Sequence, residues 1–432
     1  MKALSTAWRH TAKTTETMTS PKVDLILSGA SQVLTCASTA GDPLGRLPGV
    51  AIAVQGEKIA AIAPLAELER RFDLSSSQTV DLAGQIVAPG FVDCHTHLVF
   101  GGSRAQEYAA RMTHTAQEVA ALGIPTGIQA TVKMTRESSP DLLYEGALGR
   151  LQRMLRCGTT TLESKSGYGL NAAKEIELLQ VNRKLQSSQP VDIVSTFLGA
   201  HDFPTEVSHE QYLESLIHEM IPQVAAEGLA EFCDVYCDDG YYSVEASRRI
   251  LEAGLRHGLK PKIHVDAYSN LGGCAMAADL PVVSADHLNF TTEPELERLA
   301  MAGVVGVVMP GLDFAVRHPQ PFNARLMIDK GLTVALATDF CPGCWLESMQ
   351  LVMQLACRLY QFSPAEALLA ATVNAARAVG LTDRGTLEPG QLADLQTWDL
   401  PTFEDLIYRL GNNAVSLVVK RGRIVYSKGV DR

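Results

Sequence analysis

The chain has no run of about 18 apolar residues, so the sequence offers no helix that could span a bilayer. It has no excess of positive charge either. Thirty-seven Lys and Arg against 48 Asp and Glu leave a formal net charge of −11, which argues against nucleic acid and against an anionic membrane surface as partners. An apolar signal-peptide core is missing from the first twenty residues, which are Ser/Thr-rich and carry Lys2, Arg9, His10 and Lys13. Residues 1–21 therefore read as a disordered leader, with Met18 as a candidate true start and a transit peptide as the alternative. A second Cys-x-x-Cys to match the one at Cys341–Cys344 is absent as well. Nine cysteines, an odd number, are scattered among apolar runs, which fits reduced thiols in a cytoplasmic enzyme. What remains is 432 residues, 46% of them hydrophobic, enough for a large core and more than one simple domain needs.

Short β-type runs occupy both ends. Residues 22–88 hold Val23–Leu27, Val50–Val54 and Lys58–Ile62, separated by Gly and Pro turns. Residues 379–432 return to that style with Ala393–Trp398, Val415–Gly422 and Gly422–Tyr426. The two ends are expected to pair into one small β-sandwich around residues 89–378. In that middle, strand and helix alternate. After a first strand at Phe91–Val92–Asp93 come runs at Thr159–Glu163, Val191–Leu198, Ala230–Cys237, Lys260–His264, Pro281–Ala285, Val304–Met309 and Gly331–Thr338. Eight such runs with helices between them predict an α/β fold, a (β/α)8 TIM-like barrel. Ser139-Pro140-Asp141 opens one helix with a cap, a first-position proline and a first-turn acid, and Tyr144, Leu148, Leu151 and Leu155 give it an apolar face.

The chemistry concentrates at the ends of those strands. His95-Thr96-His97 follows the first, and side chains at i and i+2 of a strand share a face, close enough to share a metal ion. Exposed His pairs also occur without ligating anything, so the pair needs partners. His264, His287 and Asp339 each close a later run, at the C-terminal end where a parallel barrel keeps its chemistry. Taken singly, His264 or His287 reads as a core histidine. His10, His114, His209, His218, His257 and His318 lack strand-end placement and read as surface or helix residues. Cys341-Pro342-Gly343-Cys344 reads as two small, reduced pocket-lining cysteines, or alternatively as a redox pair or metal half-site.

The order of these motifs resembles the amidohydrolase superfamily, and within it the imidazolonepropionase family of histidine degradation. Pro89–Asp93, Gly101–Arg104, Glu163–Leu170, Phe197–His201, Phe232–Val235, Ser284–Leu288 and Ala337–Phe340 carry the resemblance, which runs from about residue 22 to the end. It implies a hydrolase of cyclic amide C–N bonds that opens 4-imidazolone-5-propanoate to N-formimidoyl-L-glutamate with metal-activated water. One divalent metal ion, Zn²⁺ or Fe, would be held by His95, His97, His264 and Asp339. Asp339 would also take a proton from the water, and His287 would steady the oxyanion or shuttle a proton. Arg104, Tyr168 and His201 match the substrate-contact positions, an arginine fork suiting a propionate carboxylate. Cys341 and Gly343 fall beside them. The substrate is thus a small molecule carrying a carboxylate, and a homodimer is left open. The fourth strand ends near Cys237 without the modified lysine of two-metal relatives, which favours one metal.

Departures from the family pattern fall on the pocket. Ala267 stands where Glu or Gln is usual, Gln117 where an aromatic is usual, and Pro125-Thr126-Gly127-Ile128 replaces Gly-Gly-Gly-Ile. Phe340-Cys341-Pro342 replaces Phe-Asn-Pro. With the ligand set intact, the alternatives are a related amidohydrolase acting on another heterocycle (a deaminase or a hydantoin/thiohydantoin-type hydrolase) or a metal-binding barrel without turnover.

Overall fold

The computed structural model describes residues 20–429. Residues 1–19 of the expected leader, with His10 and Met18, lie outside the described residues.

Eight parallel strands follow one another around a barrel in sequence order: Phe91–Asp93, Thr159–Lys165, Asp192–Ala200, Phe232–Cys237, Lys260–Val265, Ser284–His287, Val305–Val308 and Thr333–Leu336, here barrel strands 1 to 8. Nearly every residue in them is buried, because the sheet carries helices outside and packed side chains inside. The seam between strands 8 and 1 is closed by side-chain and loop contacts. Asp93 accepts hydrogen bonds from the Thr338 amide at 3.0 Å and the Thr338 hydroxyl at 2.6 Å, and Thr96 bridges to Phe340.

The helix opened by Ser139 spans Pro140–Arg156, and the Ser139 hydroxyl accepts from the Leu142 amide. Its deepest side chains are Leu143, Ala147, Leu151 and Met154. Of the expected face, Leu151 and Leu155 are buried while Tyr144 and Leu148 pack half-buried against the core. The stripe is rotated because Arg150 also turns inward. Its guanidinium donates to Leu98 O and Phe100 O at 2.8 and 3.1 Å and lies 3.6 Å from the centre of the Phe100 ring. That clamp fixes the segment just beyond His97.

The chain ends meet in a six-stranded sheet ordered Arg423–Ser427, Val415–Lys420, Leu395–Trp398, Ile86–Pro89, Gln32–Leu34 and Arg46–Leu47. Ile86–Pro89 runs antiparallel to Leu395–Trp398, pairing Ile86 with Trp398 and Pro89 with Leu395. A four-stranded sheet, Lys58–Ala63, Ala51–Gln55, Leu25–Ser28 and Gln78–Asp81, lies with it. Leu25, Leu27, Ile52, Val54, Val33, Val87, Leu395 and Val419 from both sheets join in one apolar cluster. Gly90 links this unit to barrel strand 1, and a Cβ there would stand 2.3 Å from the Thr160 side chain. The backbones pass that closely only because the side chain is a hydrogen.

Candidate metal centre

His95 and His97 sit just past the end of barrel strand 1, in an irregular stretch that is stitched on both sides. The Thr96 hydroxyl donates to Glu163 O at 2.5 Å and the Lys165 amide donates to Thr96 O at 2.9 Å. On the other side the His97 amide donates to Phe340 O at 2.8 Å. Held this way, both imidazoles enter one cluster with His264 from strand 5 and His287 from strand 6. Ring centres of His95 lie 4.5 Å from His264 and 5.5 Å from both His97 and His287. Asp339, just beyond strand 8, brings Oδ1 to 3.6 Å from Nε2 of each of His95 and His97. The five residues expected at strand ends are therefore brought together. His287 and Asp339 hold left-handed backbone, with φ of 87° and 46°. Such conformations are costly for side-chain-bearing residues and gather at functional sites.

Among the described residues, His95 Nε2, His97 Nδ1, both nitrogens of His264 and Asp339 Oδ1 are buried without a hydrogen-bond partner. One orphaned buried polar atom is expensive, and a cluster that gathers several, with Nε2 of His95 and His264 and Oδ1 of Asp339 among them, suits a ligand. Three imidazoles and a carboxylate form a donor set that suits a divalent transition metal. Burial first, then the neighbouring cations, holds His95 well below the ordinary imidazole range; burial and His201 do the same to His97. Both are thus neutral, as ligation requires. Burial pushes the Asp339 carboxyl up to about 6, against the pull of His264 and Lys165.

Beneath the histidines lies a layer of charge. His95 Nδ1 is 2.7 Å from Asp286 Oδ2, and His264 Nδ1 is 3.1 Å from Asp234 Oδ2. Lys165 Nζ approaches Asp234 Oδ2 at 2.7 Å, Glu163 Oε2 at 2.9 Å and Asp286 Oδ2 at 3.7 Å. Lys262 Nζ lies 3.0 Å from Glu163 Oε1. These residues went unnoticed as site components in the sequence. Their signal was an alternation of polar side chains at inward positions of otherwise apolar strands, Glu163 and Lys165 on strand 2, Lys262 and His264 on strand 5.

Of the remaining expected residues, His201 and Tyr168 border the cluster, while Arg104 and Gly343 line a neighbouring cleft whose lining includes none of the clustered histidines. His201 stacks on His97 with ring centres 4.8 Å apart, and Tyr168 lies 5.6 Å from His97 and 5.2 Å from His201. Burial, then His264, lowers His201 to about 3, so it too is neutral. Arg104 is held by its own neighbour, Nε and Nη2 donating to the Glu107 carboxylate at 2.5 and 2.8 Å. Its Nη1 faces Gly343, where an added Cβ would stand 3.5 Å from it and 3.7 Å from Cys341 Sγ. Arg104 and Gly343 line a cleft of about 760 Å³ with Tyr108, Phe314, Pro342 and Trp345. Cys341 and Cys344 exchange two backbone hydrogen bonds of 3.1 Å, and the Cys344 thiol points back at Thr338 O. Ala267 is buried, whereas Gln117 is exposed.

His318 departs from its sequence reading as a surface or helix residue. The helix Pro310–Val316 ends with Arg317 at a φ of 54°, which turns His318 back toward Asp313 O and sets its ring 4.6 Å from Tyr268.

Comparison with known proteins gives concordant results. The amidohydrolase family model matches residues 78–124 and 223–426. The imidazolonepropionase of Geobacillus kaustophilus is 42% identical over 419 residues, covering 94% of this chain and 98% of the relative. That of Haloarcula marismortui is 38% identical, covering 93% and 96%. Among solved structures, an adenosine deaminase from Xanthomonas campestris with bound zinc superposes with a TM-score of 0.72 at 21% identity, covering 95% of this chain and 94% of that one. An atrazine chlorohydrolase from Arthrobacter aurescens complexed with zinc gives 0.71 at 18%, covering 94% and 97%. These two likenesses concern the fold.

Proposed function

Because the chain belongs to the amidohydrolase family, we propose that it is a metal-dependent cyclic amidohydrolase of the imidazolonepropionase type. The reaction is the hydrolytic opening of 4-imidazolone-5-propanoate to N-formimidoyl-L-glutamate. The observation that carries this reading is the 42% identity to imidazolonepropionase across 94% of the chain. The site's donor set supports it. His95, His97, His264 and Asp339 are the ligands of one divalent ion, zinc or iron. A second grouping that could hold a cation, His95, Glu163 and Asp286, already surrounds the Lys165 ammonium, which favours a single ion.

A bound divalent cation would supply an acidified water and a polarised ring carbonyl near neutral pH. The protein's own residues do the rest. Asp339, with its carboxyl pushed up to about 6, is ionised at neutral pH yet basic enough to take a proton from the attacking water. Returning that proton to the ring nitrogen lets the amide C–N bond break. His287 is buried and held well below the ordinary imidazole range, first by burial and then by His264. As a neutral imidazole it donates to the oxygen that gains charge as the ring carbon becomes tetrahedral. Arg104, aimed by Glu107, meets the substrate carboxylate through Nη1, while Tyr168 and His201 contact the ring and Cys341 and Gly343 bound its far side. Residues 22–88 and 379–432 form a structural β-sandwich unit and 89–378 the barrel that does the chemistry. Nine free thiols suit a cytoplasmic setting.

The test is purified protein of measured metal content, assayed against freshly prepared 4-imidazolone-5-propanoate by loss of ring absorbance. Turnover on the order of 10 s⁻¹ is expected. Metallated protein that leaves the ring intact but releases ammonia or sulfide from another heterocycle would overturn the substrate assignment.

A further inference from the structure

The charged layer under the histidines has a feature that stability does not explain. Lys165, Glu163, Asp234 and Asp286 have fully buried side chains, in the interior of a barrel where bulky apolar residues normally pack. Burying ions costs more solvation than their attraction returns unless the geometry is exact, and apolar replacements of similar volume often do as well or better. A buried ammonium is therefore weak evidence for a contribution to folding. Its position is more informative.

The histidines are paired with two different carboxylates on two different strands. Asp286 of strand 6 faces the outer nitrogen of His95, and Asp234 of strand 4 faces the outer nitrogen of His264. In each case the oxygen is Oδ2, and Lys165 reaches the same two oxygens, at 3.7 and 2.7 Å. Glu163, at 2.9 Å, holds the ammonium from the third side and is itself tied to Lys262 and to the Thr196 hydroxyl. Two carboxylates converging in a dry interior repel each other. Without a cation between them they would turn apart, and each would rotate the imidazole that leans on it.

We propose that Lys165 is a positioning residue for the metal centre, clamping Asp234 and Asp286 and thereby setting the ring orientation and protonated nitrogen of His264 and His95 together. This rests on the metal-binding reading above. Lys262 does not share the role, because its contacts are Glu163 and Cys94 O rather than either histidine-bound oxygen. Three carboxylates against two ammoniums also leave the layer with an excess of one negative charge, which favours a cation at the histidines above it.

The experiment measures zinc affinity of the full-length protein by competition with a chromophoric chelator, and the ligand-field spectrum of the cobalt-substituted form. Lys165→Met should weaken zinc binding roughly tenfold to a hundredfold, the range for lost outer-shell partners, and shift the cobalt bands. Its loss should overlap with that of Asp286→Asn in the double variant, since both act on His95. Lys420→Met, which removes an equally buried ammonium at the other end of the barrel, should lower the melting temperature and leave zinc affinity within about twofold. Should Lys165→Met not fold, Lys165→Met/Glu163→Gln removes one charge of each sign while keeping both histidine-bound carboxylates, and is read the same way. Wild-type affinity and cobalt spectrum in the folded Lys165 variant would overturn the proposal, as would an equal loss in Lys420→Met. A wild-type chain that binds no zinc or cobalt would instead remove the metal reading on which it rests.

Discussion

Two buried charge networks occupy opposite ends of the same barrel, and they differ in how completely they are satisfied. At the C-terminal ends of the strands, Lys165, Glu163, Asp234 and Asp286 support histidines whose inner nitrogens find no partner among the described residues. At the N-terminal ends, Asp192 from the start of strand 3 meets Lys420 at 2.9 Å, Arg421 at 3.0 Å and Arg384, while Asp394 takes Lys420 at 2.5 Å and the Arg421 amide at 2.8 Å. No side-chain atom of that second network is left buried and unpaired among the described residues. It joins the barrel to the C-terminal strands. Both networks bury charge, so burial alone does not separate chemistry from architecture; the orphaned atoms do.

The sharpest way to break the contrast is at the orphaned atoms themselves. His95→Ala and Asp339→Ala should each lose metal and activity together, activity falling by at least about 10³-fold, read by metal analysis and turnover. Stoichiometric metal in both variants would refute the ligand assignment. The opposite network should respond in stability. Asp192→Asn leaves buried cations underpaired and should cost about 3 kcal/mol in denaturant unfolding while metal content stays full. That network also makes a pH prediction. Burial pushes the Asp192 carboxyl up, but Lys420 and Arg384 overcome it and hold it well below the usual range. Its contribution is therefore fully present above the unfolded-state value of about 3.9 and lost as pH falls through it toward the depressed one. Melting temperatures between about pH 4.5 and pH 2 should accordingly fall less steeply in Asp192→Asn than in the wild type.

At the junction of the two regions, Gly90→Ala forces a methyl against Thr160 and should destabilise by about 1–3 kcal/mol, measured by denaturant midpoint. The smallest effect belongs to the pocket rim. Arg104→Ala should raise KM for a carboxylated substrate about tenfold to a hundredfold and leave kcat near wild type. An equal fall in kcat would mean that Arg104 acts on the transition state rather than on the carboxylate.

Much of this was legible before the structure. Eight β-type runs appear as eight barrel strands, most shifted by only a few residues at one or both ends, because each is a short apolar stretch between turn residues. Strand 6 shifted furthest: its run was expected at Pro281–Ala285 and it forms at Ser284–His287. His95, His97, His264, His287 and Asp339 stood out because polar residues at the ends of apolar runs are conspicuous. The supporting carboxylates and lysines were less so. Asp234 and Asp286 fall inside family motifs without a visible role of their own, since a charge inside a short strand says nothing of partners about 30 to 190 positions away. Glu107 escaped notice for the same reason: its hold on Arg104 is local, but its burial is tertiary.

Composition, period and strand-end chemistry determined the barrel, the metal-type donor set and the absence of a bilayer-length apolar run. These depend on local order, which is written residue by residue. The tertiary structure alone decided which acid leans on which histidine, that one ammonium serves two of them, and that Arg104 is already half engaged by Glu107. The first two are facts of angle and distance between strands remote in the chain, the third is local in sequence but depends on tertiary burial, and low-dielectric surroundings strengthen each beyond what composition records.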